Sequence, residues 1–327
     1  MSHESLLLGI DAGGTSTRAV LTDQQGECSG YGIGGRGNPV SAGPERAADG
    51  VLDAIGAALA GTGCTLADVS VVVAAMAGMR ASGDAGWLRD RLSAQGFTGR
   101  LEFESDLLAT YFSGAASDFG YALVSGTGAC VIRVQDGRID GTGDGLGWLL
   151  GDRGSGFWIG HAIAHAVVQD LDGSGPATSL TDRVLEHHGL ARTGVYDQGR
   201  WRELEQLVST LYARPPIELA ALAPFAFQES DAVAHGILTA AGEHLADTLL
   251  AVLRGPGPLV IGGSVLARSS PVQDAFLARL GDAADGLDLR PVGDGAVGAA
   301  VLAVRAAGGT ADDAILARLT ETVAAFR

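Results

Sequence analysis

Lysine is missing altogether: every one of the 22 basic residues is arginine. That absence removes the GxxxxGK[ST] phosphate loop, the strand lysine of protein kinases and the Schiff-base lysine of pyridoxal enzymes. Any phosphate charge must then be met by backbone amides, hydroxyls, arginine and a divalent metal. Cysteine is nearly as scarce. Cys28, Cys64 and Cys130 are scattered without a CxxC pair, which argues against a disulfide framework and against a zinc or iron–sulfur site built from cysteines. Positive charge is outnumbered, 22 basic against 38 acidic residues for a net charge of −16. Self-repulsion therefore opposes a nucleic acid or an anionic membrane surface as partner. Residues 1–5 carry no basic n-region, and the apolar run 6–10 is too short for a signal core or a membrane span. A cytoplasmic location is the expectation.

What is present is a globular composition. The 327 residues suggest about two domains, and 46% hydrophobic with 18% charged residues suffices for real cores. Two glycine turns bounded by apolar runs recur, LLLGIDAGGTSTRAVL at 6–21 and YALVSGTGACVIRV at 121–134. Two strand–turn–strand units about one small domain apart suggest two facing halves that offer backbone N–H groups to one polyphosphate.

The pattern predicts strands at 6–10 and 17–21, a third near 29–33, a helix over 44–60, a buried strand at 69–75, a helix over 85–95, a strand at 101–103 and a helix from about 107 to 113. Strands at 121–124, 130–135 and about 138–142 restart it. From 161 to 252 almost nothing reads as strand, so helices are expected as an insertion in the second half. A short buried strand at 259–261 runs into Gly262-Gly263-Ser264, and 295–307 reads as a small-residue helix able to pack closely on a backbone or a nucleotide. The boundary is expected near 113–118, giving a first domain over 1–114 and a second over 115–310 with its helical insertion at about 161–255. The last helix, within 311–327, is free to join either.

In Asp11-Ala12-Gly13-Gly14-Thr15 the glycines let turn amides approach phosphate oxygens, Thr15 adds a hydroxyl, and Asp11 is suited to a hydrated Mg²⁺. Ser125-Gly126-Thr127-Gly128 and Gly262-Gly263-Ser264 repeat the theme. Asp106 follows an apolar strand and opens a helix, where ligands lie in open α/β sheets; an N-cap is the ordinary role for such an aspartate, and Glu102 and Glu104 stand close by. Asn38 and Asp152 sit in glycine-rich loops, where turn stabilisation is the ordinary role.

Taken together, these segments resemble the acetate and sugar kinase/Hsc70/actin superfamily, and within it the N-acetylglucosamine kinase branch grouped with the BadF/BadG/BcrA/BcrD ATPases. The match runs through Asp11 to Thr15, Gly37-Asn38, Glu104-Ser105-Asp106, Ser125 to Gly128, the segment from Gly145 to Asp152, and Ile261 to Ser264. The resemblance implies an α/β fold of two actin-like (ribonuclease H-like) domains closing a central cleft over ATP, Mg²⁺ and an amino sugar. It implies Asp106 as the base for the sugar 6-hydroxyl and as a sugar ligand, with Asn38, Gly145, Gly147 and Asp152 also against the sugar. Gly13, Gly14, Thr15, Gly126, Thr127, Gly128, Gly262, Gly263 and Ser264 would hold the nucleotide, and Asp11 the metal. Where the family has Asp-Glu-Gly-Ser, this chain has Asp152-Arg153-Gly154-Ser155, and Arg153 could attract an anionic substituent such as a lactyl carboxylate. N-acetylglucosamine, glucosamine and N-acetylmuramate are not separable by inspection; a homodimer is compatible with the sequence, which does not specify oligomeric state.

Other patterns point elsewhere. Gly32-Ile33-Gly34-Gly35-Arg36-Gly37 matches GxGxxG but leads into Asn38-Pro39 and opens no helix after a first strand. His161 and His165 have zinc-compatible spacing without an evident third ligand, His187-His188 reads as surface, and Trp148, Phe157 and Trp158 read as packing or cleft wall. An iron–sulfur ATPase activator would need cysteines that Cys28, Cys64 and Cys130 do not supply. A DNA-reading sensor would need a helix-turn-helix ahead of the first strand.

Overall fold

A computed structural model describes residues 5–77, 86–266 and 270–327. The first sheet is built from β1 (Leu6–Ala12), β2 (Thr17–Thr22), β3 (Cys28–Gly34), β4 (Val69–Met76) and β5 (Arg100–Glu104), in the order β3-β2-β1-β4-β5. The second is built from β6 (Gly120–Ser125), β7 (Ala129–Gln135), β8 (Arg138–Asp144), β11 (Gly257–Gly262) and β12 (Leu287–Pro291), in the order β12-β11-β6-β7-β8. Each sheet begins with an antiparallel three-strand meander and adds two parallel strands on the other side of its first strand. The same topology therefore occurs twice, which is the structural form of the repeated glycine turns. A two-residue hairpin, β9 (Tyr196–Asp197) with β10 (Arg200–Trp201), interrupts the helical stretch between β8 and β11.

The helices are α1 (Pro39–Ala42), α2 (Pro44–Leu59), α3 (Gly86–Ala94), α4 (Asp106–Gly114), α5 (Gly156–Asp172), α6 (Leu180–His187), α7 (Arg202–Tyr212), α8 (Ala223–Ala226), α9 (Ala232–Val252), α10 (Pro271–Leu280), α11 (Gly295–Ala306) and α12 (Asp313–Ala324). Residue 85, where the helix expected over 85–95 was to start, lies outside the described residues. Helices α2 and α3 cover one face of the first sheet, through Val51, Ile55, Leu88 and Leu92. Its other face and one face of the second sheet share α4 and α11 in a single apolar cluster. The outer face of the second sheet is covered by α5, α9 and α10.

The small-residue helix α11 is explained by close approach of backbones. It lies on β1, where a side chain at Gly9 would overlap the backbone of Ala299 and Ala300, and on α4, where one at Gly298 would overlap the Ala109 carbonyl. Helix α12 packs on α11 and β3, burying Leu319 and Val323. The two chain crossings between the sheets touch each other, with the Gly293 N–H donating to Ser113 Oγ at 3.0 Å.

Several elements escape the sequence reading, among them α1, the β9–β10 hairpin, α10 and β12. Strand β12 is short, lies at the sheet edge and ends in Pro291, which has no N–H for a ladder. The GxGxxG match falls on β3 and the loop after it. Gly32 and Gly34 there let β3 sit against the α2 backbone, a packing role.

Candidate active site

The β1–β2 turn is welded to the loop that carries Asn38. The Gly13 carbonyl accepts from the N–H groups of Gly37 (3.1 Å) and Asn38 (3.2 Å), while the Gly13 N–H closes the turn on the Ser16 carbonyl (3.0 Å). Gly14 and Thr15 are exposed at its tip. Asn38 caps α1, its Oδ1 accepting from the Val40 N–H at 2.8 Å. Thus the residue implied for the sugar also performs the ordinary turn role.

Asp11 and Arg18 are register partners across the β1–β2 hairpin, and Arg18 Nη2 lies 2.7 Å from Asp11 Oδ2. Nη1 of the same guanidinium reaches Asp294, the N-cap of α11, at 3.0 Å; Arg327 also contacts Asp294. Burial pushes the Asp11 carboxyl up, Arg18 opposes that push, and the charge of Asp106 adds to it. Arg18 was not singled out from sequence; its place opposite an aspartate in the only hairpin of the first glycine turn is the signal that could have found it.

The second sheet supplies a cavity of about 840 Å³ lined by Gly126, Thr127, Gly263, Ser264, Phe227 and Pro271 among others. The two glycine segments meet because Gly263 stands at positive φ and Val265 N–H bonds the Ser125 carbonyl at 3.0 Å. Gly128 is placed just behind this wall. Its Cα faces the carboxylate of Asp152, so that a methyl group there would meet that carboxylate. Asp152 is only 7% exposed and its Oδ1 accepts from the Ala129 N–H at 3.1 Å. Burial raises its carboxyl, the Ala129 hydrogen bond opposes that, and Asp144 adds to it. Asp152 therefore supports the second glycine turn from beneath.

A second cavity, about 810 Å³, opens between the two sheets. From the first come Met76, Phe103, Glu104 and Asp106; from the second come Cys130, Arg138, Asp144 and Gly145. The N-cap role that would account for an aspartate at the start of α4 falls to Ser105, whose Oγ accepts from the Leu107 N–H at 3.2 Å. Asp106 is left as the first helical residue, its Oδ1 taking the same N–H at 3.0 Å. Burial raises its carboxyl, and the hydrogen bonds from Leu107 and Ser105 hold the rise in check. Burial, with Asp144, Asp106 and Asp152 nearby, pushes the Cys130 thiol up to about 11, so it stands in the cleft as a neutral wall.

Asp144 was missed by the sequence reading. It stands at positive φ, and its two carboxylate oxygens accept from the N–H groups of Asp152 (2.6 Å) and Arg153 (3.0 Å). It thereby folds the Gly145 and Gly147 loop back to Asp152. Arg153 Nε lies 3.7 Å from Asp144, and Arg153 is not among the residues lining the inter-sheet cavity. Gly13, Gly14, Thr15, Asp11, Asn38, Gly147 and Gly262 also lie outside both cavity linings. The rings of His161 and His165 lie 5.9 Å apart on α5, and among the described residues no group of three or more His, Cys, Asp or Glu is placed to hold a metal. Among them, too, no helix is long and apolar enough to cross a membrane.

Twice-repeated meander-plus-parallel sheets, each with a glycine turn in its first hairpin, define the class: a two-lobed α/β protein of the actin-like type. The chain belongs to the BadF/BadG/BcrA/BcrD ATPase family, whose model matches residues 8–303. It is 27% identical over 330 residues to an N-acetyl-D-glucosamine kinase of Dictyostelium discoideum, covering 93% of this chain and 99% of that one. It is 31% identical over 180 residues to a glucosamine kinase of Vibrio cholerae, covering 55% of this chain and 60% of the relative. Among solved structures, a candidate N-acetylglucosamine kinase of Chromobacterium violaceum superposes with a TM-score of 0.68 at 24% identity, over 92% of this chain and 99% of that one.

Proposed function

We propose that this chain is an ATP-dependent amino-sugar kinase that transfers the γ-phosphoryl group to the 6-hydroxyl of N-acetylglucosamine, with Asp106 as the base. The observation that carries this reading is that one hairpin, β6–β7, lines both cavities, its turn facing the first and Cys130 the second, where Asp106 waits. Family membership and relatives that phosphorylate amino sugars support it.

A sugar hydroxyl is too weak an acid to ionise beforehand. The Asp106 carboxylate would instead orient the hydroxyl and accept its proton late in the transfer. The glycine turns at Gly13-Gly14, Gly126 to Gly128 and Gly262-Gly263, with the hydroxyls of Thr15, Thr127 and Ser264, would spread the phosphate charge that no lysine is present to meet; the N–H groups of Gly13 and Gly126 close their own turns, so other amides of these turns would do the binding. Asn38, Gly145, Gly147 and Asp152 would complete the sugar site, Asp152 acting through the glycine turn it supports.

Asp11 offers one hard carboxylate oxygen set, which fits a Mg²⁺ that keeps most of its waters and takes the rest of its ligands from phosphate. When bound, that ion neutralises developing phosphoryl charge. Arg18 holds Asp11 in place meanwhile.

We take the lobes as 1–114 and 115–310, the second carrying the helical insertion and sending α11 back onto the first sheet, where α12 follows it. Their closure would exclude water, which otherwise competes with the sugar for the phosphoryl group. Both substrates are soluble, which suits a cytoplasmic enzyme with no nucleic-acid or membrane partner, whether it works as a monomer or a homodimer.

Coupled measurement of ADP release across a panel of hexoses and amino sugars tests the reading. N-acetylglucosamine should stimulate ADP release. No stimulation by any sugar would overturn the kinase reading, while equal turnover with glucose would remove only the acetamido requirement.

A further inference from the structure

Glu104 closes β5 and Arg138 opens β8, so these residues approach the inter-sheet cavity from different sheets, at the facing edge strands. Among the described residues Glu104 and Arg138 have no ion-pair partner, unlike Glu102, which pairs with Arg100 at 2.9 Å. Among the described residues Arg138 is the one arginine in the cavity lining. The other carboxylates there are engaged: Asp144 by two backbone N–H groups and Asp106 by Leu107. Burial and the neighbouring Glu102 raise the Glu104 carboxyl, and Arg138 opposes them, which places the two charges within each other's field. Phe103 and Ile139, adjacent in sequence to the pair, line the same cavity with apolar surface.

We propose that Glu104 and Arg138 form the subsite that selects the sugar's 2-substituent, and that it is built for a neutral amide. An acetamido group presents one N–H donor and one carbonyl acceptor, which a carboxylate and a guanidinium satisfy together, while Phe103 and Ile139 accommodate its methyl. A free ammonium is drawn to Glu104 but is repelled by Arg138 and offers that guanidinium no acceptor, so it fills only half of the subsite; N-acetylmuramate keeps the 2-acetamido group and is not told apart here. Selectivity against glucosamine thus comes from the penalty at Arg138 as much as from attraction. The inference rests on the amino-sugar kinase reading and adds which 2-substituent it takes and why.

The test is a set of kcat/KM values for N-acetylglucosamine and glucosamine with the full-length wild type, Glu104→Gln and Arg138→Met, each checked for an unaltered melting temperature. The wild type should prefer N-acetylglucosamine over glucosamine by roughly tenfold or more. Arg138→Met, which leaves an ammonium facing Glu104 alone, should cut that preference at least fivefold, acting on KM, and Glu104→Gln, which leaves it facing Arg138 alone, should raise it. A wild type that favours glucosamine overturns the proposal, a result that needs no variant. So does a pair of folded variants that shift the preference in the same direction, or an Arg138→Met that shifts it by less than fivefold. If no sugar is turned over at all, it is the kinase reading that fails, and the subsite with it.

Discussion

Gly298 of α11 rests on the carbonyl of Ala109 in α4, with no room for a side chain between them. The two helices fill the space between both sheets, so this contact sets how closely they can stack. Gly298→Val should force α11 off α4 and cost about 3 kcal/mol or more, as overpacking at a backbone contact does. Thermal unfolding would show it as a fall in Tm, and an unaltered Tm would mean that the helices are not seated as described.

Gly128 has the same relation to Asp152 on a smaller scale. Gly128→Ala would push the second glycine turn off the carboxylate that supports it. A tenfold or greater rise in the KM for ATP is expected, with Tm nearly unchanged, because the displaced atoms are a turn and not a core. Titration calorimetry with a nonhydrolysable ATP analogue checks it directly.

Asp106 gives a pH signature. A base must be ionised to accept a proton, and burial raises this carboxyl above its ordinary value of 3.8. Activity should therefore rise with pH along an acid limb whose midpoint lies above 3.8, and fall away below it. Asp106→Asn should lose transfer by a factor of about 10³ or more while keeping ATP binding. Loss of nucleotide affinity in that variant would assign Asp106 a different role.

Asp231 titrates the other way and tests the helical insertion. It caps α9 through Ala234 N–H (2.7 Å) and also accepts from the Thr178 hydroxyl (2.6 Å) and the Ser179 N–H (2.7 Å). Burial alone would raise its carboxyl, yet these hydrogen bonds together outweigh burial and lower it to about 2. A depressed folded-state value stabilises the fold above the ordinary pKa and loses that contribution as pH falls towards 2. Asp231→Asn should thus cost roughly 2 kcal/mol at pH 7, with the difference from wild type shrinking between pH 4 and 2.

Much of this architecture was legible in the chain because both sheets announce themselves by apolar runs broken at glycine turns, as in β1–β2 and β6–β7. Helix α2 was legible through its periodic apolar face, and α9 only as part of a long stretch in which almost nothing reads as strand. Strand β12 was not, because its five residues alternate weakly and end in proline. Long-range partnerships were also invisible: no local pattern says that Arg18 will bridge Asp11 to Asp294, or that α11, following the second sheet, will lie on the first. Asp144 was hidden because its role depends on a positive φ and on two amides eight and nine residues later. Asp152 showed as a loop aspartate, and only the fold reveals that it faces inward to Ala129.

The most direct check of the central claim is a proton-coupled phosphorus NMR spectrum of enzyme, Mg²⁺, ATP and N-acetylglucosamine. The account predicts one new phosphomonoester signal coupled to the two protons on carbon 6, growing in step with ADP. Inorganic phosphate in its place, or a phosphoryl group on any other carbon, would contradict it.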